Sequence, residues 1–341
     1  LLLLAHDLVS VVTWESYARD HDWSGIDFIK IDAEGEEVNI LRGGQEFLTR
    51  NAPLIQYEIR AGRDLDLDLV RSFSDLGYES YRLVPGMNVL IPFRADSEVD
   101  RYLLNVFACK PEQAARMASE GRLIAEQSMP DAISRGSPGS ASDEVDTEWP
   151  ATLTALPYGR MLAAQWQRRV ADADAGAMAQ ALASYLNSRN GSLPVAERFD
   201  ALSRSYHRFR ALVDGSPTQA RLSSLTRIAQ DFGARAVAID ALSRLFNSIA
   251  QHGRVDLDEP FLAPAARFDS LDPQGALGDW MLVAAAEQLE RLQEYSTFYR
   301  GRSAQQRLEM ICRSEFASPD MHRRLSLLRQ RFGLTEATSA D

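Results

Sequence analysis

The chain has 341 residues, of which 45% are hydrophobic and 25% charged, and carries a formal net charge of -11. That length allows two domains with sizeable cores, and the acidic balance argues against nucleic acid or an anionic membrane surface as the main partner. The two cysteines, Cys109 and Cys312, are too few and too far apart to suggest a disulfide framework or a zinc site, which fits a reducing cytoplasm.

The chain opens on Leu1-Leu2-Leu3-Leu4-Ala5. This apolar run lacks a methionine, the basic flank of a signal peptide and the length of a membrane span, so it reads as a cut end. Leu8 to Thr13 is β-branched enough for a strand, and Trp14 to Arg19 suits one or two helical turns before the Ser24-Gly25 break. The clearest strand is Ile26 to Asp32, an apolar run that ends abruptly in carboxylates and a glycine. A buried parallel strand delivers polar groups to the rim of an α/β sheet in this way.

From Gly35 the pattern turns helical, with Val38, Leu41 and Leu48 on one face and Glu36 and Glu37 at the positive N-terminal end. Pro53 to Ile59 reads as a second strand ending in Glu58. The acidic alternation of Asp64, Asp66 and Asp68 reads as a solvated helix entry, Leu69 to Leu76 as a helix stopped by Gly77, and Tyr78 to Val84 as a third strand. Two consecutive strand-helix-strand units predict a parallel sheet. Asn88 to Pro92 and Leu104 to Cys109 are expected to finish it antiparallel.

Glu112 to Gln127 has helical spacing, and Ser128 to Pro150 is rich in Ser, Gly, Pro and Asp, the best candidate for a linker. From Leu153 the pattern is helical to the end, broken at Gly191-Ser192, Asp214 to Pro217, Gly253 and Asp272-Pro273. Within it, Leu225, Ala229, Gly233, Ala238, Leu242 and Leu245 have the spacing of a tetratricopeptide-like hairpin; an irregular helical bundle explains them equally well. The segment around Phe268 and Trp280, dense in aromatic and charged residues, reads first as core. The fold class expected is therefore α/β, a sheet with helices over residues 1–111, then a helix and flexible linker over 112–150, then an α-helical domain over 151–341, with degenerate helical repeats as one reading of it.

The string Asp27-Phe28-Ile29-Lys30-Ile31-Asp32-Ala33-Glu34-Gly35, followed by Glu37, Ile40-Leu41-Arg42-Gly43-Gly44, Leu48, Pro53 and Glu58-Ile59, resembles the signature of FkbM-type methyltransferases. Leu76-Gly77-Tyr78 and Asn105 to Cys109 look like closing strands of the same domain, so the resemblance runs from about Val9 to Lys110. It implies that residues 1–111 are the C-terminal part of a Rossmann-like class I methyltransferase domain, with S-adenosylmethionine as cofactor and methylation of a hydroxyl on a sugar, glycan or polyketide. The Gly-rich turn and ribose-binding acid that the family would use are expected upstream of Leu1, so no cofactor-binding residue is assigned within this chain.

Methyl transfer to an alcohol is an in-line displacement, for which the protein aligns the reacting atoms and accepts the proton of the hydroxyl. Asp32 is the candidate for positioning or deprotonating the acceptor, with Glu34 beside it, Glu58 at the adjacent strand end, and Lys30 keeping a carboxylate ionised. The competing reading makes Asp32 and Glu34 caps of the following helix and pairs Glu58 with Arg60 or Arg63. Gly43-Gly44 reads as a close approach of helix to sheet. The five histidines lack metal-ligand spacing, and no metal is expected. The leading expectation is an O-methyltransferase whose helical region recruits a protein partner or the acceptor, without nucleic acid or membrane. The alternative is a non-catalytic helical interaction protein built on a remnant half-domain.

Overall fold

In the computed structural model, residues 12–33, 35–61, 64–95, 99–129, 149–168, 175–293 and 304–333 are described. The chain divides into two compact units, the first covering residues 1–84 and 88–128, the second 85–87 and 129–341.

The first unit begins with α1 (Trp14–Asp20), whose N-cap Thr13 accepts from the Ser16 N–H. Then come β1 (Phe28–Ile31), α2 (Glu37–Arg42), α3 (Gln45–Asn51) and β2 (Leu54–Glu58). The helix foreseen from Gly35 is therefore two helices, separated at Gly43-Gly44. A Cβ on Gly44 would lie 2.7 Å from the Trp14 ring, so the glycine admits the indole of α1 rather than a strand of the sheet. A short hairpin, β3 (Arg60–Ala61) with β4 (Asp64–Leu65), precedes α4 (Leu67–Asp75). Asp66 caps α4 by accepting from the Leu69 N–H at 3.0 Å, so the acidic run does mark a helix entry, but Asp64 and Leu65 are extended.

β5 (Glu79–Val84), β6 (Val89–Pro92) and β7 (Asn105–Cys109) complete a sheet of order β1-β2-β7-β5-β6. β1 and β2 pair in parallel, whereas β7 runs antiparallel to both neighbours, with Tyr57 opposite Val106 and Tyr81 opposite Phe107. The antiparallel finish is as expected, but the last strand in sequence is central in the sheet. It inserts between β2 and β5, so these two strands run in one direction without being adjacent.

One face of this sheet carries most of the core: Ile31, Ile55, Tyr57 and Val106 meet Leu41, Phe47, Leu48, Leu69 and Phe73 from the helices. Tyr57 and Phe73 pack with ring centroids 4.5 Å apart, and the Tyr57 hydroxyl is hydrogen-bonded to Ser80 Oγ at 2.9 Å. The other face is covered by Ala114 and Met117 of α5 (Pro111–Ser119) and by Leu123, against Tyr81, Leu90 and Cys109. The helix read over 112–127 thus stops at Ser119, and Leu123 instead forms a bridge beside Leu90. Burial pushes the Cys109 thiol up to about 12, which leaves it a packing residue.

The regular structure of the second unit's described residues is helical, with α6 (Trp149–Ala155), α7 (Pro157–Arg168), α8 (Ala175–Arg189), α9 (Val195–Gly215), α10 (Gln219–Phe232), α11 (Arg235–His252), α12 (Leu277–Leu292), α13 (Gln305–Cys312) and α14 (Pro319–Phe332). The breaks fall where Gly and Pro punctuate the sequence. Gly233, at φ 93°, turns the chain between α10 and α11 as the hairpin reading foresaw, and Leu225, Ala229, Ala238, Leu242 and Leu245 are buried. The linker candidate lies mostly outside the described residues, as does Leu8 to Val11; Val12 and Thr13 are not in a strand. No described helix is long and apolar enough to cross a membrane.

α10 is the axis of this unit: every residue from Gln219 to Ala229 is buried, including Ser223, Ser224, Thr226, Arg221 and Arg227. Such polar burial is tolerated only with partners. Ser224 and Thr226 return hydrogen bonds to carbonyls one turn back, and Ser223 donates to the Leu262 carbonyl at 2.6 Å. The Arg221 Nε lies 3.1 Å from both carboxylate oxygens of Glu259, and Arg227 donates to Asp269 at 2.8 Å and to the Tyr185 hydroxyl at 3.1 Å. On α12, Glu287 meets Arg267, Arg291 and the Ser318 N–H, and Glu290 meets Arg307.

Around α12, Trp280 has no exposed surface and packs edge-on against Phe268 and obliquely against Tyr158, while its indole N–H donates to the Leu271 carbonyl at 3.1 Å. Trp280→Ala is expected to destabilise the chain by about 3–5 kcal/mol, read as a lowered midpoint of the helix signal in urea unfolding.

Candidate functional site

The parallel pairing of β1 and β2 runs in register from Phe28 opposite Leu54 to Ile31 opposite Tyr57, and one residue further along each strand lie Asp32 and Glu58. Alternation along β1 turns Ile29 and Ile31 into the core and leaves Phe28 and Lys30 on the other face. Among the described residues β1 lies at one edge of the sheet. Lys30 is therefore not inside a buried strand, as the apolar run around it suggested: its side chain is 54% exposed.

Lys30 Nζ donates to Asp32 Oδ2 at 2.8 Å, and the Asp32 side chain is 42% exposed. That hydrogen bond, and then the carboxylate's charge, raise the Lys30 pKa above its ordinary value. Glu58 responds differently. Burial comes first in pushing its carboxyl upward, the charges of Asp32 and Glu37 add to this, Lys30 opposes it, and a hydrogen bond to Asp32 contributes last. The two strand ends thus pair a carboxylate held beside a cation with a carboxyl that keeps its proton longer.

The segment after Asp32 is organised by a residue that the sequence suggested only as a favourable charge at a helix terminus. Glu37 is 7% exposed, and its carboxylate turns back to accept the Ala33 N–H at Oε1 and the Gly35 N–H at Oε2, each at 2.9 Å. Its neighbour Glu36 is exposed and accepts from the Asn39 side chain at 2.7 Å. Gly35 sits at φ 108°, a conformation open to glycine and strained for other residues. Nothing in the string Glu34-Gly35-Glu36-Glu37 distinguishes the acid that folds inward from the one that stays in water.

Of the sequence-derived candidates, Lys30, Asp32 and Glu58 come together at this rim. Glu34 lies outside the described residues, as do Arg63 and the side chain of Arg60, the partners considered for Glu58. Carboxyl groups at such a rim can hold a hydroxyl by hydrogen bonds and take its proton.

The family model of the methyltransferase FkbM domain matches residues 5–80. The Lys-x-Asp-x-Glu-Gly string, the Leu-Arg-Gly helix and the Glu58 strand end all fall within that range, whereas Asn105 to Cys109 falls outside it. Neither the curated proteins nor the solved structures contain a match to the chain.

Because the folded Glu58 carboxyl titrates above its ordinary value of 4.5, the native state holds its proton over a pH range in which the unfolded chain has lost it. The stability this contributes is complete below the unfolded value and lost as pH rises through the folded one. Glu58→Gln is therefore expected to match the wild type near pH ~4 and to become the more stable of the two as pH rises to ~7. Thermal unfolding of both proteins across that range checks the sign.

Proposed function

We propose that the chain is an S-adenosylmethionine-dependent O-methyltransferase acting on a hydroxyl of a sugar, glycan or related metabolite. The observation that carries this reading is the meeting of Lys30, Asp32 and Glu58 at adjacent parallel strand ends, within the segment that matches the methyltransferase family. When bound, S-adenosylmethionine supplies an electrophilic methyl group on a sulfonium. Among the described residues, Asp32 and Glu58 are the carboxyl groups at the rim that would face the cation.

Asp32 then serves as the proton acceptor. Its carboxylate, with Lys30 Nζ at 2.8 Å, accepts a hydrogen bond from the acceptor hydroxyl and takes its proton. Glu58, which holds its own proton longer, donates toward Asp32 or toward the bound hydroxyl and orients it. The helical second unit carries the remaining role in this reading, recruitment of the acceptor or of a protein partner. The exposed helix faces of this unit are the surface that serves that purpose.

Calorimetry with S-adenosylmethionine, together with methyl transfer to a panel of sugar and glycan acceptors, tests the proposal on the natural gene product. Saturable binding and transfer are expected. Asp32→Asn is expected to lower kcat at least ~100-fold, with a much smaller loss of cofactor affinity. Absence of both binding and transfer would sink the enzyme reading in favour of a non-catalytic helical interaction protein.

A further inference from the structure

We infer that Glu37 is the positioning residue of this site: by accepting both the Ala33 and Gly35 N–H groups, its carboxylate fixes the backbone that carries Asp32 beyond the end of β1. The inference deepens the methyltransferase reading and rests on it for its catalytic consequence. The anchoring itself stands on geometry. A glutamate in the first turn of a six-residue helix gains from the positive helix end while remaining in water, as Glu36 beside it does. Glu37 instead gives up solvent, which is unfavourable for a carboxylate unless hydrogen bonds replace the water.

Both oxygens are engaged, each at 2.9 Å, and by amides on either side of position 34. One hydrogen bond would leave the segment free to swivel about it; two from a single planar group fix its orientation as well as its position. The conformation being held is one that glycine adopts without strain and other residues do not. Gly35 is at φ 108°, and a Cβ there would meet nothing within 4 Å, so the glycine answers a backbone requirement and not a lack of space. The same carboxylate also acts on chemistry at the rim, where its charge adds to that of Asp32 in holding the proton on Glu58, against Lys30.

These two effects separate by substitution. Glu37→Gln keeps the size but loses the charge, and its NH2 group cannot accept the second amide. In the full chain, wild type should show slow hydrogen exchange at the Ala33 and Gly35 amides and Glu37→Gln fast exchange, with the Glu58 carboxyl, followed by side-chain NMR, titrating at lower pH in the variant. With the acceptor identified, kcat should fall about a hundredfold, the scale of a small misplacement of reacting groups, with a smaller change in KM. Its pH profile should shift in the direction of the Glu58 titration. Glu37→Asp, which keeps the charge but not the reach, should restore the Glu58 titration without restoring the amide protection.

Should Glu37→Gln fail to fold, Gly35→Ala probes the same backbone with the anchor left in place and should lower kcat with little change in KM. Unchanged amide exchange together with an unchanged Glu58 titration in Glu37→Gln would overturn the inference, and so would kcat equal to wild type in a folded variant. Loss of amide protection in a protein whose wild type transfers no methyl group would leave Glu37 as an anchor and overturn the methyltransferase reading alone.

Discussion

The parallel pairing of β1 with β2 is the constraint on which the candidate site depends. Side chains alternate along a strand, so a register that sets Ile31 opposite Tyr57 on the core face also brings Asp32 and Glu58 to neighbouring strand ends. A slip of one residue would expose Ile29 and Ile31 and bury Lys30. Core burial thus enforces the register, and the register in turn assembles the rim. The buried Tyr57, with its hydroxyl on Ser80 and its ring against Phe73, ties β2 to the helices and to β5, so the strand that ends in Glu58 is secured on both sides.

Proximity of acids at such a rim is unfavourable unless protons or cations relieve it, and the structure uses both. Lys30 is placed by strand parity on the same side as Asp32 and reaches it across the exposed face. Glu58 is more enclosed, and for it retention of a proton relieves the repulsion. Burial and neighbouring carboxylates thus push the Glu58 carboxyl upward, while Asp32 lies against the Lys30 ammonium.

Much of this was legible in the sequence, because local signals decide it. The apolar run ending in Asp32, the glycine breaks and the cap at Asp66 each announce an element within a few residues. The motif spacing announced the family segment now matched over residues 5–80. What could not be read was long-range. β7 is last in sequence but central in the sheet, since its antiparallel partners lie far away along the chain and no local pattern names them. Lys30 sits in a run apolar enough to look buried on both faces, and only the edge position of β1 shows that one face is open. Glu36 and Glu37 are the same residue type side by side, and backbone geometry alone selects the one that turns inward.

The helical unit shows what becomes of charge when there is no rim to serve. Arg221, Arg227, Glu287 and Glu290 are buried in an overall acidic chain, yet each meets an opposite charge from another segment: Glu259, Asp269, Arg267 and Arg307 respectively. Buried pairs of this kind add little net stability over apolar residues of the same size, but a misaligned helix would leave one member unpaired at a cost of several kcal/mol. They therefore act against wrong helix alignments more than for the right one. The pairs in this unit are matched carboxylate to guanidinium. At the strand ends, by contrast, the Lys30–Asp32 pair is open to solvent and Glu58 lies beside it at the end of the neighbouring strand. Charged groups that meet solvent at converging strand ends, and not the enclosed pairs of the helices, are the physical ground for locating chemistry there.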